Sequence, residues 1–224
     1  MTRGIFIAGN ESVLFSSVVV EAEKRVDQYA TALIPNTFPV QETTGNYRSA
    51  KERISLSWNP GSPISGRTLV LAAENRLGQI NDAVLVCSPP ALYRQPQAMA
   101  PAEIEALVNS QIKGWFFLVR ELAIVFHARG AGTLSLVVPE VAASSGRDSP
   151  ADLLGTPAAA SFRSLTQGLL ASANAEPFQI LGFTYSEIGQ EGNFAAWLFK
   201  IIDEASKKNS GKLHKYGKFT LFRQ

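Results

Sequence analysis

The sequence predicts an α/β fold: a doubly wound parallel sheet of about seven strands with helices on both faces, built as one domain over residues 1–224. Three observations carry this. Short apolar runs alternate with helical patterns of about ten residues or more, the order that produces βαβ units. The runs are continuous rather than alternating, as strands buried on both faces require. The chain has 224 residues and no internal repeat, low-complexity tract or linker, which suits a single large domain.

Each element has a local reason. Residues 4–8, GIFIA, form a buried run closed by Gly9 and Asn10. Ser12 is the N-cap of a helix predicted to reach about Tyr29. ATALIPN (30–36) is the second strand, stopped by Pro35, and the polar stretch 36–52 reads as a loop. RISLSW (53–58) is the third strand, ended by the turn residues NPGSP. Residues 64–82 show helical periodicity in Leu69, Ala72, Ala73, Leu77 and Ile80. AVLVCS (83–88) is the clearest strand, bounded by Asp82 and by Pro89 and Pro90. A long helix is predicted over 101–130, with proline at its start and glycine at its end. GTLSLVV (132–138) is a strand stopped by Pro139, and 157–173 is a helix. FQILGFTY (178–185) is a strand, and 193–208 is a helix whose basic last turn suits the helix dipole. GKFTLF (217–222) completes the sheet, with three helices expected on each side.

Composition excludes several function classes. Lys plus Arg is 21 and Asp plus Glu 19, a net charge of +2, so no nucleic-acid or membrane partner is expected. Hydrophobic residues at 46% and charged residues at 18% are those of a globular chain. The single cysteine, Cys87, rules out an internal disulfide framework and fits a reducing compartment. The start MTRGIFIAGNES has neither a long apolar core nor a small-residue cleavage site, and the expected location is cytoplasmic. The most apolar window, GWFFLVRELAIVF, is interrupted by Arg120 and Glu121 and is too short to span a bilayer.

Three local stretches, in this order and spacing, resemble the short-chain dehydrogenase/reductase family, whose fold is Rossmann-like: INDAVLVCSPP (80–90), VNSQIKGWFFLVREL (108–122) and FRSLTQGLLAS (162–172). The resemblance runs from residue 4 to near the C-terminus. It implies a dinucleotide at the first turn and an Asn–Ser–Tyr–Lys site, so each position can be read in turn. The family's first turn is Thr-Gly-x-x-x-Gly-x-Gly; here AGNESVLF keeps only Gly9. Val13 and Phe15 stand where glycines let a backbone approach a pyrophosphate, and Glu11 adds a negative charge beside it. The second strand ends LIPN, with no acid for a ribose hydroxyl and no arginine for a ribose phosphate. Gln111 replaces the helix asparagine, Pro139 the serine, Gly155 the tyrosine and Ala159 the lysine. Proton transfer in the family needs a phenol whose pKa a lysine lowers, and neither Gly nor Ala supplies it. The usual lid is also short: SEIGQEG leads almost directly into the last helix.

The resemblance therefore implies a non-catalytic relative, a binding or assembly module with a degenerate cofactor turn, no cofactor and no metal. The alternative is a divergent NAD(P)-dependent oxidoreductase using Tyr185, Ser144 and Gln111. A repurposed pocket would draw on Ser88, Ser144, Ser145, Tyr185 and Glu187, with Asp148 and Glu191 nearby, at the strand ends where open α/β sheets bind ligands. The competing reading of these residues is plain polar connection. His127 and His214, the two histidines, stand at no metal-ligand spacing. His127 reads as a helix-dipole partner and Cys87 as a small core hydrophobe. The basic stretch SKKNSGKLHKYGK reads as a solvated connection, and Asn10 heads a glycosylation triplet, NES, that carries no meaning without a secretory segment. In the family the helices corresponding to 101–129 and 157–173 pair across a two-fold axis. The first is apolar nearly all round and the second is lined with small residues, so a homo-dimer or homo-tetramer is expected.

Overall fold

The structure is a computed structural model and describes residues 3–34, 52–90, 93, 95–140, 152–153, 155–186 and 189–217. Seven strands form one sheet: β1 (Ile5–Asn10), β2 (Gln28–Ile34), β3 (Glu52–Leu56), β4 (Asp82–Val86), β5 (Thr133–Pro139), β6 (Gln179–Tyr185) and β7 (Lys212–Tyr216). Their order is β3-β2-β1-β4-β5-β6-β7, and every pairing is parallel. The order reverses between β1 and β4, which places the crevice used by ligands in open α/β sheets at their C-terminal ends. The doubly wound parallel sheet is therefore as the sequence predicts.

Strand alternation divides the core. Phe6, Ala8, Leu85, Leu134 and Leu136 face one layer, which holds α2 (Pro63–Leu77), α4 (Gly114–Arg129) and α5 (Gly155–Ser172). Ile5, Ile7, Val84, Val86 and Phe183 face the other, which holds α1 (Val13–Glu23) and α6 (Glu191–Asp203). Among the described residues the second side thus carries two α-helices, α1 and α6, where three are expected.

Several boundaries differ from expectation, each for a tertiary or backbone reason. α1 stops at Glu23, not near Tyr29, because Tyr29 is needed in β2 opposite Ile5, where it is fully buried. α2 stops at Leu77 because Gly78 has φ of 70°, a conformation that ends helices. The long helix is not continuous. It begins as α3 (Pro101–Leu107), widens into a π turn over Val108–Lys113, and resumes as α4. The last strand is Lys212–Tyr216, whereas GKFTLF lies almost wholly outside the described residues, as does the loop predicted over 36–52 apart from Glu52, which opens β3. β7 is an edge strand with Lys212 and Lys215 exposed, so it needs no continuous apolar run. No helix among the described residues is long and apolar enough to cross a membrane.

Candidate functional site

At the C-terminal end of β1 the chain turns through Gly9, Asn10, Glu11 and Ser12 into α1. Ser12 caps the helix: its Oγ accepts from the Phe15 amide at 3.1 Å. Phe15, only 3% exposed, lies in the apolar layer beneath α1 and α6. A Cβ added to Gly9 would stand 2.7 Å from Phe15 Cδ2 and 2.7 Å from the Val86 carbonyl oxygen. Gly9 is thus the residue on which the Phe15 ring rests. Val13 and Glu11 point outward, both exposed.

Asn10 turns to the opposite face of the sheet and is fully buried. Its Oδ1 accepts from the Ser88 amide at 3.0 Å, and its Nδ2 donates to Gln111 Oε1 at 2.9 Å. The Ser88 amide can only donate, which fixes the orientation of the Asn10 side chain. Gln111, 2% exposed, reaches this point from the π turn. The π turn is held from behind: a Cβ on Gly114 would meet Pro60 Cβ at 2.6 Å. Asn10 is therefore a structural residue, and the burial of its side chain disposes of the glycosylation triplet.

The start of α5 closes the site. Asp152 accepts from the Gly155 amide at 2.8 Å, and Gly155 is buried. Ala158 packs with Leu107 and Met99, and Ala159 is 2% exposed. Pro139 ends β5 in register with Tyr185. Cys87 is fully buried in the core, and burial pushes its thiol well above the usual range, so it stays neutral. At the C-terminal strand ends Cys87 on this face and Tyr185 on the other are buried titratable groups. The amides of Asn10 and Gln111 hold and orient; they do not exchange protons at ordinary pH.

The proposed pocket is not assembled as the sequence suggested. Ser88 belongs to the Asn10 network. Tyr185 sits on the other face of the sheet, its ring 5.0 Å from Phe194. It does meet Glu191: burial raises that carboxyl, but hydrogen bonds from Tyr185 and the backbone hold it below the usual range. Gly189 donates to Glu191 Oε1 at 3.1 Å. Tyr185 and Gln111 therefore face opposite layers and do not form one site. Ser144, Ser145, Asp148 and Glu187 lie outside the described residues.

The histidines are separate. His127 Nδ1 lies 2.9 Å from Glu176 Oε2 near the end of α4. His214 stacks on Phe183 at 5.4 Å, where burial and then Lys212 lower its pKa. No group of three metal-ligating side chains occurs among the described residues. One feature had no signal in the sequence, because its partners lie far apart in the chain. At the N-terminal ends of the strands Arg3 bonds Asp82 and Asp203, each at 2.5 Å. Arg25 bonds Asp203 at 3.0 Å and Glu21 at 2.5 Å. Both arginines line a cavity of about 470 Å³ on the side of the sheet away from the crevice.

No protein-family model matches the sequence, and no curated protein matches it. Solved structures match the fold over nearly the whole chain. A protein from Aeromonas hydrophila subsp. hydrophila, assigned to the short chain dehydrogenase/reductase family of oxidoreductases, superposes with a TM-score of 0.70 at 12% identity, covering 96% of this chain and 99% of its own. An NADH-dependent reductase complexed with NAD gives 0.71 at 11% identity, covering 96% and 95%. A metagenomic short-chain oxidoreductase in complex with NADP gives 0.70 at 11% identity, again covering 96% and 95%. The chain has the fold of the short-chain dehydrogenases/reductases.

Proposed function

We propose that this chain is a divergent short-chain dehydrogenase/reductase-like protein that has no dehydrogenase chemistry and serves as a binding or assembly module, without a nicotinamide cofactor and in the cytoplasm. The observation that supports this best is the start of α5. The resemblance aligns a tyrosine and a lysine with Gly155 and Ala159, and both positions are buried. A phenol activated by a lysine would move the proton that accompanies hydride transfer. Among the described residues on the Asn10 face, the crevice offers amides and a neutral buried thiol, which orient one another and supply no proton for that transfer.

The second reading, a divergent NAD(P)-dependent oxidoreductase, draws its support from fold neighbours that carry NAD or NADP. The two separate by turnover. The protein is mixed with NADH or NADPH and a panel of aldehydes and ketones, and cofactor oxidation is followed by absorbance. The expected rate is that of buffer. Turnover that disappears in Gln111→Ala would establish the oxidoreductase and end the first reading.

Assembly is the positive half of the proposal. α4 presents Phe116 and Ile124, 48% and 47% exposed, two turns apart on its outer face. α5 presents Ala160, Ser164 and Gly168, exposed and one turn apart. Two exposed apolar side chains flanking Arg120 on α4 and a small-residue face on α5 suit helix packing against a second copy of the chain, as dimer or tetramer.

A further inference from the structure

We infer that the dinucleotide cleft of this fold is filled here by the chain's own side chains, Phe15 at the turn and Asn10 beyond it, so that the site is built against NAD(P) rather than merely short of contacts to it. The inference deepens the functional reading at the same site but rests on different residues.

The fold's cofactor, when bound, supplies a hydride acceptor or donor, and its pyrophosphate needs open backbone at the first turn and free amides at the helix start. Neither is present. The Phe15 ring lies directly on Gly9 and is shielded from solvent. Glycine at position 9 and phenylalanine at position 15 form a matched pair: any Cβ at 9 would strike the ring and the Val86 carbonyl. Gly9 therefore has a packing reason that does not involve a phosphate. The Phe15 amide, one of the donors an anion would use, is taken by Ser12 Oγ. The exposed carboxylate of Glu11 stands at the same helix entrance and repels a polyanion.

The far end of the cleft is also self-satisfied. Asn10 bonds across to the Ser88 amide and to Gln111, tying β1, the end of β4 and the π turn together. A site emptied of its ligand leaves buried polar atoms without partners. Among the described residues, no buried side-chain nitrogen or oxygen of residues 8–16, Ser88 or Gln111 is left without a partner.

The test uses the whole protein, Phe15→Leu and Phe15→Ala. NADH and NADPH are titrated by energy transfer from tryptophan and by calorimetry, and melting is measured in parallel. The parent and Phe15→Leu are expected to show no saturable binding up to about 1 mM, which corresponds to less than about 4.1 kcal/mol of binding free energy. Phe15→Ala should melt about 10 °C lower, with Phe15→Leu between it and the parent. If Phe15→Ala does not fold, the Phe15→Leu comparison carries the stability test. Saturable binding to the parent below about 100 μM would overturn the inference. Parent-like melting of the variants would overturn it too. Dinucleotide binding without turnover removes this inference and the cofactor-free part of the functional reading and leaves its non-catalytic part standing; turnover removes the functional reading.

Discussion

Replacing Asn10 by alanine tests the Asn10–Gln111–Ser88 network directly. The side chain is fully buried and makes two hydrogen bonds, 2.9 Å to Gln111 and 3.0 Å from the Ser88 amide. Each contributes about 0.5–1.5 kcal/mol net, and leaving a buried partner unpaired costs about 1–3 kcal/mol more. The two partners are not equivalent. Gln111 is 2% exposed, so its carbonyl is stranded, whereas the half-buried Ser88 lies within reach of water. The expected loss is about 2–4 kcal/mol, or roughly 10 °C in a domain of this size. Asn10→Asp should be worse, because it keeps the acceptor for Ser88 but buries a charge facing the Gln111 carbonyl. Urea unfolding of Asn10→Ala, Gln111→Ala and the double variant completes a cycle whose coupling energy should be about 1–2 kcal/mol. A loss under about 0.5 kcal/mol for Asn10→Ala, or a coupling near zero, would show that the network contributes nothing and refute the reasoning.

Three further outcomes are expected. Burial raises the Asp203 carboxyl, but Arg3 and Arg25 outweigh it and hold the group below its ordinary range. Its contribution is therefore present above about pH 4 and fades as pH falls through the lower folded value, so Asp203→Asn should flatten the acid limb of Tm against pH between about 5 and 3; an unchanged limb would count against the clasp. Cys87, buried with its thiol pushed up, should react with a disulfide reagent only as fast as the protein unfolds, and rapid modification of the native chain would contradict its burial. Ile124→Glu should convert the oligomer to folded monomer by light scattering, while a parent mass already near 24.2 kDa at tens of micromolar would refute the assembly proposal.

The sequence by itself determined the parallel sheet, because strands buried on both faces must be continuous apolar runs and such runs survive in any one-dimensional reading. Strand and helix ends were less legible. Tyr29 continues the pattern of α1 until β1 is present to pair with it. The π turn left no mark, because its cause is the meeting of Gly114 with Pro60 and of Gln111 with Asn10. Tertiary structure alone decided the rest. Asn10 and Gln111 are 101 residues apart, and Arg3 and Asp203 are 200 apart, so no local spacing announces either pair. The face that Tyr185 presents follows from the register of β6 against β5, where a shift of one residue would turn the ring toward Gln111 instead of Phe194.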